Sequence, residues 1–280
     1  MKTKFSFLAN LAVVAIAAFM VGCGTAESAS PVGHKTDALD ASAWDSAKWI
    51  SAANAPVLTD RKNDRAADGA SWFVSTVKNE QAVTSAKWMT TSLGVFEIYV
   101  NGKPVGNEFL KPGFTHPLKT RRSFTYDITD AFKTAANAEN VLSAQVTPGW
   151  WADKIVTPGG YKGKMLGENC AFRAVLELTF ADGSKKLYGT DLENWKAGIA
   201  GPVKHAAIFD CEEYDAREAM GFESVDKLLT PEENKEFAGE ILPSEGAEIY
   251  LRHDLALSPV RAYTWKDVEG AKENEYGKVV

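Results

Sequence analysis

The feature that most narrows the possible folds is a six-residue run, Val95 to Val100 (VFEIYV), followed directly by Asn101-Gly102. Asn-Gly after a β-branched and aromatic run is the strongest short hairpin signal, because a type I′ turn needs positive φ at both central positions. Lys103-Pro104-Val105 then begins the return strand. Segments of the same kind recur along the chain. Ser71 to Val77 (SWFVSTV), Ala86 to Thr91, Lys119 to Asp127, Val141 to Val146 and Phe172 to Phe180 all read as strands. Asp182-Gly183 turns the last of these into Lys186 to Gly189. Ala206 to Phe209, Glu213 to Arg217, Glu248 to His253 and Val260 to Trp265 add shorter ones.

Helical signals are few. Ile128 to Phe132 predicts a short helical turn capped by Asp127 or Thr129. Thr230-Pro231-Glu232-Glu233 has the pattern of a capping box and predicts a short helix in an insertion. Pro158 to Gly167 is a glycine-rich loop. Short strands with turn signals about every ten residues, and no βαβ rhythm, predict an all-β fold. The expected architecture is an antiparallel β-sandwich (jelly roll) with a few short helical turns.

The start of the chain obeys different rules. Lys2 and Lys4 precede an apolar run from Phe5 to Met20, and the first acidic residue is Glu27. That is the layout of an export signal, and the run is short for a membrane span, which needs about 20 residues. Met20-Val21-Gly22-Cys23 resembles a lipobox, in which the cysteine is lipidated and becomes the new N-terminus. The expectation is a bacterial lipoprotein held at the cell envelope by lipid on Cys23. Residues 1–22 form the signal, 23–43 a flexible tether, 44–225 the sandwich, and 226–280 an insertion and the start of a following β-domain. Val279-Val280 looks like the beginning of a strand, so the chain is expected to continue.

A net charge of −6 and a pI near 5.4 give no basic footprint for nucleic acid. Export permits a disulfide between Cys170 and Cys211, although two cysteines alone do not establish one. The four histidines, at 34, 116, 205 and 253, stand apart from each other and form no zinc pattern.

An ordered series of short motifs then carries a resemblance. It runs through Trp49-Ile50-Ser51-Ala52, Trp72-Phe73, Gly94 to Lys103, Pro112-Gly113-Phe114-Thr115 and Tyr126-Asp127-Ile128-Thr129. It continues with Gly149-Trp150-Trp151, Ala181-Asp182-Gly183-Ser184, Trp195, Gly201-Pro202 and Glu213-Tyr214-Asp215-Ala216-Arg217. Over residues 44–222 the chain resembles the N-terminal β-sandwich module of bacterial α-L-rhamnosidases. The resemblance implies a module that in some relatives binds L-rhamnose with the help of calcium. It also implies a catalytic α/α barrel beyond Val280, so this chain is not expected to be active alone. Three positions depart from the pattern: Cys211 for a glycine, Trp151 for a tyrosine, and Ala152-Asp153 for Arg-Gly.

Candidate carbohydrate-binding residues follow from chemistry. Adjacent Trp150 and Trp151 face opposite ways in extended chain, so that one enters the core while the other either lies under a sugar or packs as well. In a strand, Glu213, Asp215 and Arg217 share one face, suited either to holding sugar hydroxyls or to an ion pair bracing a loop, the latter preferred. One strand does not place Glu213 and Asp215 on opposite sides of a glycosidic bond, so neither is assigned a catalytic role. Asp153, Glu168 and Asn169 supply oxygen ligands of the type calcium takes. The expected partner is rhamnose-containing carbohydrate, with the membrane reached through Cys23.

Overall fold

The computed structural model describes residues 30–54, 68–153, 155–157, 160–162, 166–208, 212–245, 248–250, 255, 273–274 and 277–278. The signal region, Cys23, Cys211 and the predicted strand at 260–265 lie outside these residues. No helix among the described residues is long and apolar enough to cross a membrane.

Two large sheets form the body. In the first, eight-stranded sheet, Val83–Leu93 lies between Thr120–Asp127 and Ala171–Phe180, antiparallel to both. Ala171–Phe180 also pairs with Lys185–Gly189 and with Ile50–Ser51, which in turn holds Glu232–Glu233. Thr120–Asp127 also pairs with His34–Lys35, antiparallel, and with Glu240–Pro243, parallel. In the second, six-stranded sheet the order is Glu212–Tyr214, Trp195–Ala206, Asp68–Lys78, Glu139–Thr147, Val95–Val100 and Lys103–Pro104. Residues on either side of 44–225 thus join the first sheet.

Period-two alternation explains the layering. Leu142, Ala144 and Val146 point inward from one sheet, and Phe124 and Tyr126 from the other. Phe172 is the hub of the core. Its ring lies 5.7 Å from Phe73, 6.4 Å from Trp88 and Phe96, and 5.8 Å from Trp195. The predicted hairpin forms at Asn101 and Gly102, with φ of 50° and 79°. Asp127 ends its strand, and its Oδ1 accepts the Thr129 N–H at 3.0 Å, holding the turn Thr129–Ala131.

The six-stranded sheet is buried on both faces over part of its width. Ala70, Trp72 and Val74 point away from the sandwich core into a second cluster, covered by Met220, Phe222 and Leu228. Trp72 stacks on Tyr99 at 5.6 Å and meets Phe222 edge-on at 5.7 Å. Burial on both faces accounts for the almost uninterrupted apolar reading of Trp72-Phe73-Val74.

Four sequence expectations need correction. The segment after Thr230 is not a helix: Glu232–Glu233 pairs with Ile50–Ser51, and the Asn234 N–H donates to the Trp49 carbonyl at 2.9 Å. An unpaired sheet edge offered these residues backbone bonds that an isolated helical turn does not supply. Glu213 to Arg217 is not one strand, because pairing stops at Tyr214 and the chain turns. Trp150 and Trp151 lie in a single helical turn, Gly149–Ala152, rather than in extended chain. The strand expected at Ala206 is the end of a twelve-residue strand, Trp195–Ala206, that had been passed over.

Candidate functional site

The helical turn Gly149–Ala152 follows Glu139–Thr147 directly and separates its two tryptophans. Trp151 is buried with Trp49, Leu93 and Phe237, and its Nε1 donates to the Asn169 carbonyl at 3.0 Å. Trp150 remains half-buried, with its ring 6.2 Å from that of Phe114 in an edge-on arrangement. Phe114 is 65% exposed. Together they wall a cavity of about 340 Å³ that is also lined by Phe109, Arg122 and Glu245. Apolar walls with a few polar groups at the rim are the usual make-up of a small-molecule site.

Arg121 was not singled out by the sequence, yet it underlies this wall. Its guanidinium lies 4.7 Å from the centre of the Trp151 ring and 5.3 Å from that of Phe237. Burial pulls its pKa down to about 10. One nitrogen donates to the Thr115 hydroxyl at 3.3 Å, which ties the Pro112-Gly113-Phe114-Thr115 loop to the sheet beneath. No sequence pattern marks an arginine as buried; the alternation of Thr120–Asp127 was the one available signal.

The remaining predicted residues are not among those lining the Trp150 cavity. The buried Asp153 carboxylate accepts the Ile208 N–H at 2.7 Å. The backbone N–H groups of Glu168 and Asn169 both donate to the Glu236 carboxylate, at 2.7 and 3.2 Å. Among the described residues no group of three His, Cys, Asp or Glu converges in a way that would hold a metal ion. No step is assigned to calcium. Arg217 clasps Asp215 through Nε at 2.8 Å and a terminal nitrogen at 2.6 Å, which lowers the Asp215 pKa through those hydrogen bonds. Since the Asp215 N–H also donates to the Pro202 carbonyl, the pair braces a loop beside the edge strand. Glu213 lies on the exposed edge strand opposite His205.

A second cleft, of about 640 Å³, lies over the outer face of the six-stranded sheet. Glu97, Tyr99, Gln145, Glu212, Tyr214 and Met220 are among its lining residues. Glu212 and Tyr214 flank Glu213 in the edge strand, so the residues that meet this cleft are the neighbours of the one that had been singled out.

Two sheets, antiparallel but for the parallel pairing of Glu240–Pro243 with Thr120–Asp127, stacked over one core define a β-sandwich module. The chain belongs to the alpha-L-rhamnosidase N-terminal domain family, which it matches over residues 81–242. Over 143 residues it is 37% identical to an alpha-L-rhamnosidase of Streptomyces avermitilis, covering 51% of this chain and 13% of that protein. Over 137 residues it is 34% identical to one from Alteromonas sp. (strain LOR), covering 49% and 14%. The chain thus spans about a seventh of the length of these curated relatives. The crystal structure of native α-L-rhamnosidase from Aspergillus terreus is similar with a TM-score of 0.61 and 26% identity, over 70% of this chain and 22% of that one. The Streptomyces avermitilis enzyme complexed with L-rhamnose gives 0.56 and 29%, over 63% and 17%.

Proposed function

We propose that this chain is an accessory, carbohydrate-binding module of a secreted α-L-rhamnosidase, holding rhamnose-containing glycan rather than hydrolysing it. The observation that carries this reading is the half-buried Trp150 ring beside exposed Phe114, on the wall of a sugar-sized cavity. A pyranose has an apolar face of C–H groups, and rhamnose adds a methyl group; both suit an aromatic wall with hydrogen-bonding groups at its rim. A lipid on Cys23 would keep the module at the cell envelope, and attachment there would raise the local concentration of substrate for a catalytic domain. The L-rhamnose bound in the Streptomyces avermitilis structure supports the choice of ligand.

Calorimetric titration of the full chain with L-rhamnose, with and without calcium, tests this. Trp150→Ala is expected to weaken binding at least tenfold while costing about 1 kcal/mol of stability. Trp151→Ala is expected to cost about 3–5 kcal/mol, because it empties a packed site. Wild-type protein that shows neither heat nor shift at millimolar sugar would remove the binding reading.

A further inference from the structure

The large cleft on the outer face of the six-stranded sheet shares Phe109 and Leu110 with the Trp150 cavity but is otherwise built from different residues. We propose that this cleft is a second carbohydrate site, taking a neutral pyranose with Glu97 and Gln145 as hydroxyl-binding groups and Tyr214 as the ring platform. It rests on the carbohydrate-binding reading for its ligand class and on its own residues for its position.

The strand register places the polar groups. Glu97 is the cross-strand partner of Gln145, and Gln145 is the partner of Trp72, so all three lie in one row on the outer face. Trp72 is sealed beneath Phe222, which leaves Glu97 and Gln145 as the open end of that row. A carboxylate accepts hydrogen bonds only, whereas a side-chain amide both donates and accepts; side by side they complement adjacent sugar hydroxyls, each of which does both.

What sets Glu97 apart from an ordinary surface carboxylate is the group behind it. Lys111 Nζ lies 3.3 Å from Glu97 Oε2, and the lysine side chain is fully buried while that of Glu97 is 35% exposed. The ammonium sits over the rings of Phe96 and Tyr126, at 5.4 and 5.5 Å, and makes no hydrogen bond of good geometry among the described residues. Burying a lysine is costly. Here the arrangement fixes one carboxylate at the floor of the cleft, with one side left open. A polar group fixed before binding loses little entropy when a ligand arrives. Tyr214, 56% exposed at the sheet edge, is among the residues that line the same cleft.

Charge selects the ligand within its class. Lys111 balances Glu97 from behind, whereas no lysine or arginine among the described residues lining the cleft balances Glu212. A uronic acid would meet like charge, whereas a neutral sugar would not.

The test uses the full chain carrying Trp150→Ala, which removes the other platform. Titration with L-rhamnose is expected to lose the Trp150 contribution yet to retain the cleft's own binding event, and adding Tyr214→Ala or Gln145→Ala is expected to weaken that event at least tenfold with unchanged circular dichroism. D-Galacturonate is expected not to bind. The proposal is overturned if the Trp150→Ala protein binds no L-rhamnose, if neither added substitution moves the affinity, or if D-galacturonate binds as well as L-rhamnose. Should Trp150→Ala leave affinity unchanged while the cleft substitutions abolish it, the cleft stands and the Trp150 reading falls.

Discussion

Glu97 shows how one side chain can be pulled two ways. Burial raises its pKa above the usual carboxylate range, and the Lys111 ammonium offsets only part of that. Glu108, whose carboxylate accepts the Tyr126 hydroxyl at 2.7 Å, adds a further small upward push. The sign has a consequence that the ion pair alone does not suggest. Above the ordinary value near 4.5 the native state holds more protons on Glu97 than the unfolded chain does. The stability that this residue contributes is therefore complete below that pH and is lost as pH rises through its folded pKa. Glu97→Gln should accordingly do the most harm relative to wild type near pH 4 and less at pH 7. Urea midpoints of both proteins across that range check this; a gap that widens with pH would show a carboxyl held below its ordinary value instead.

At the level of elements, the strand Trp195–Ala206 explains where sequence reading fails. Its sequence, WKAGIAGPVKHA, carries two glycines and a proline, all of which punctuate strands in ordinary reading. The structure uses them for an irregularity: the register with Asp68–Lys78 shifts between Ala200 and His205, and Gly201 sits within that shift at φ 81°. A Cβ on Gly201 would lie 2.6 Å from Trp72 Nε1. Gly201→Val is therefore expected to cost about 2–5 kcal/mol, from backbone strain and from overpacking against a fully buried indole. Thermal or urea unfolding measures it, and a loss within about 0.5 kcal/mol, as at an ordinary surface position, would mean that the loop moves aside at no cost. The other long strands were legible because alternation and turn residues are local signals. The site was only partly so. That two adjacent tryptophans part company was readable, but the helical turn that parts them was not. Nor was the cleft, since its residues come from five strands whose register no local pattern states. In Glu212–Tyr214 the contrast is sharpest: the charged face drew attention, while the alternate residues met the cavity.

At the scale of the whole molecule, a lipid on Cys23 would let the chain that follows it set how far the sandwich stands from the membrane. The described fold begins early: Val32 bridges to Val105, and His34–Lys35 pairs with the end of Thr120–Asp127. Seven residues lie between Cys23 and Pro31, and the eight steps of a fully extended chain span at most about 3.6 Å each, so the reach is roughly 30 Å. A module lipidated at Cys23 would thus be confined close to the lipid surface, where a glycan held at its rim stays near neighbouring enzymes. Lipid would also make a sharp demand on a single atom, since the thioether would form only on the Cys23 sulfur. Cys23→Ala, expressed in a bacterial host that processes lipoproteins, is expected to move the protein from the membrane pellet to the soluble fraction with its sandwich intact by circular dichroism. If the substituted protein sediments with membranes as before, the anchor lies elsewhere in the chain, and the confinement argued from the short span between Cys23 and Pro31 goes with it.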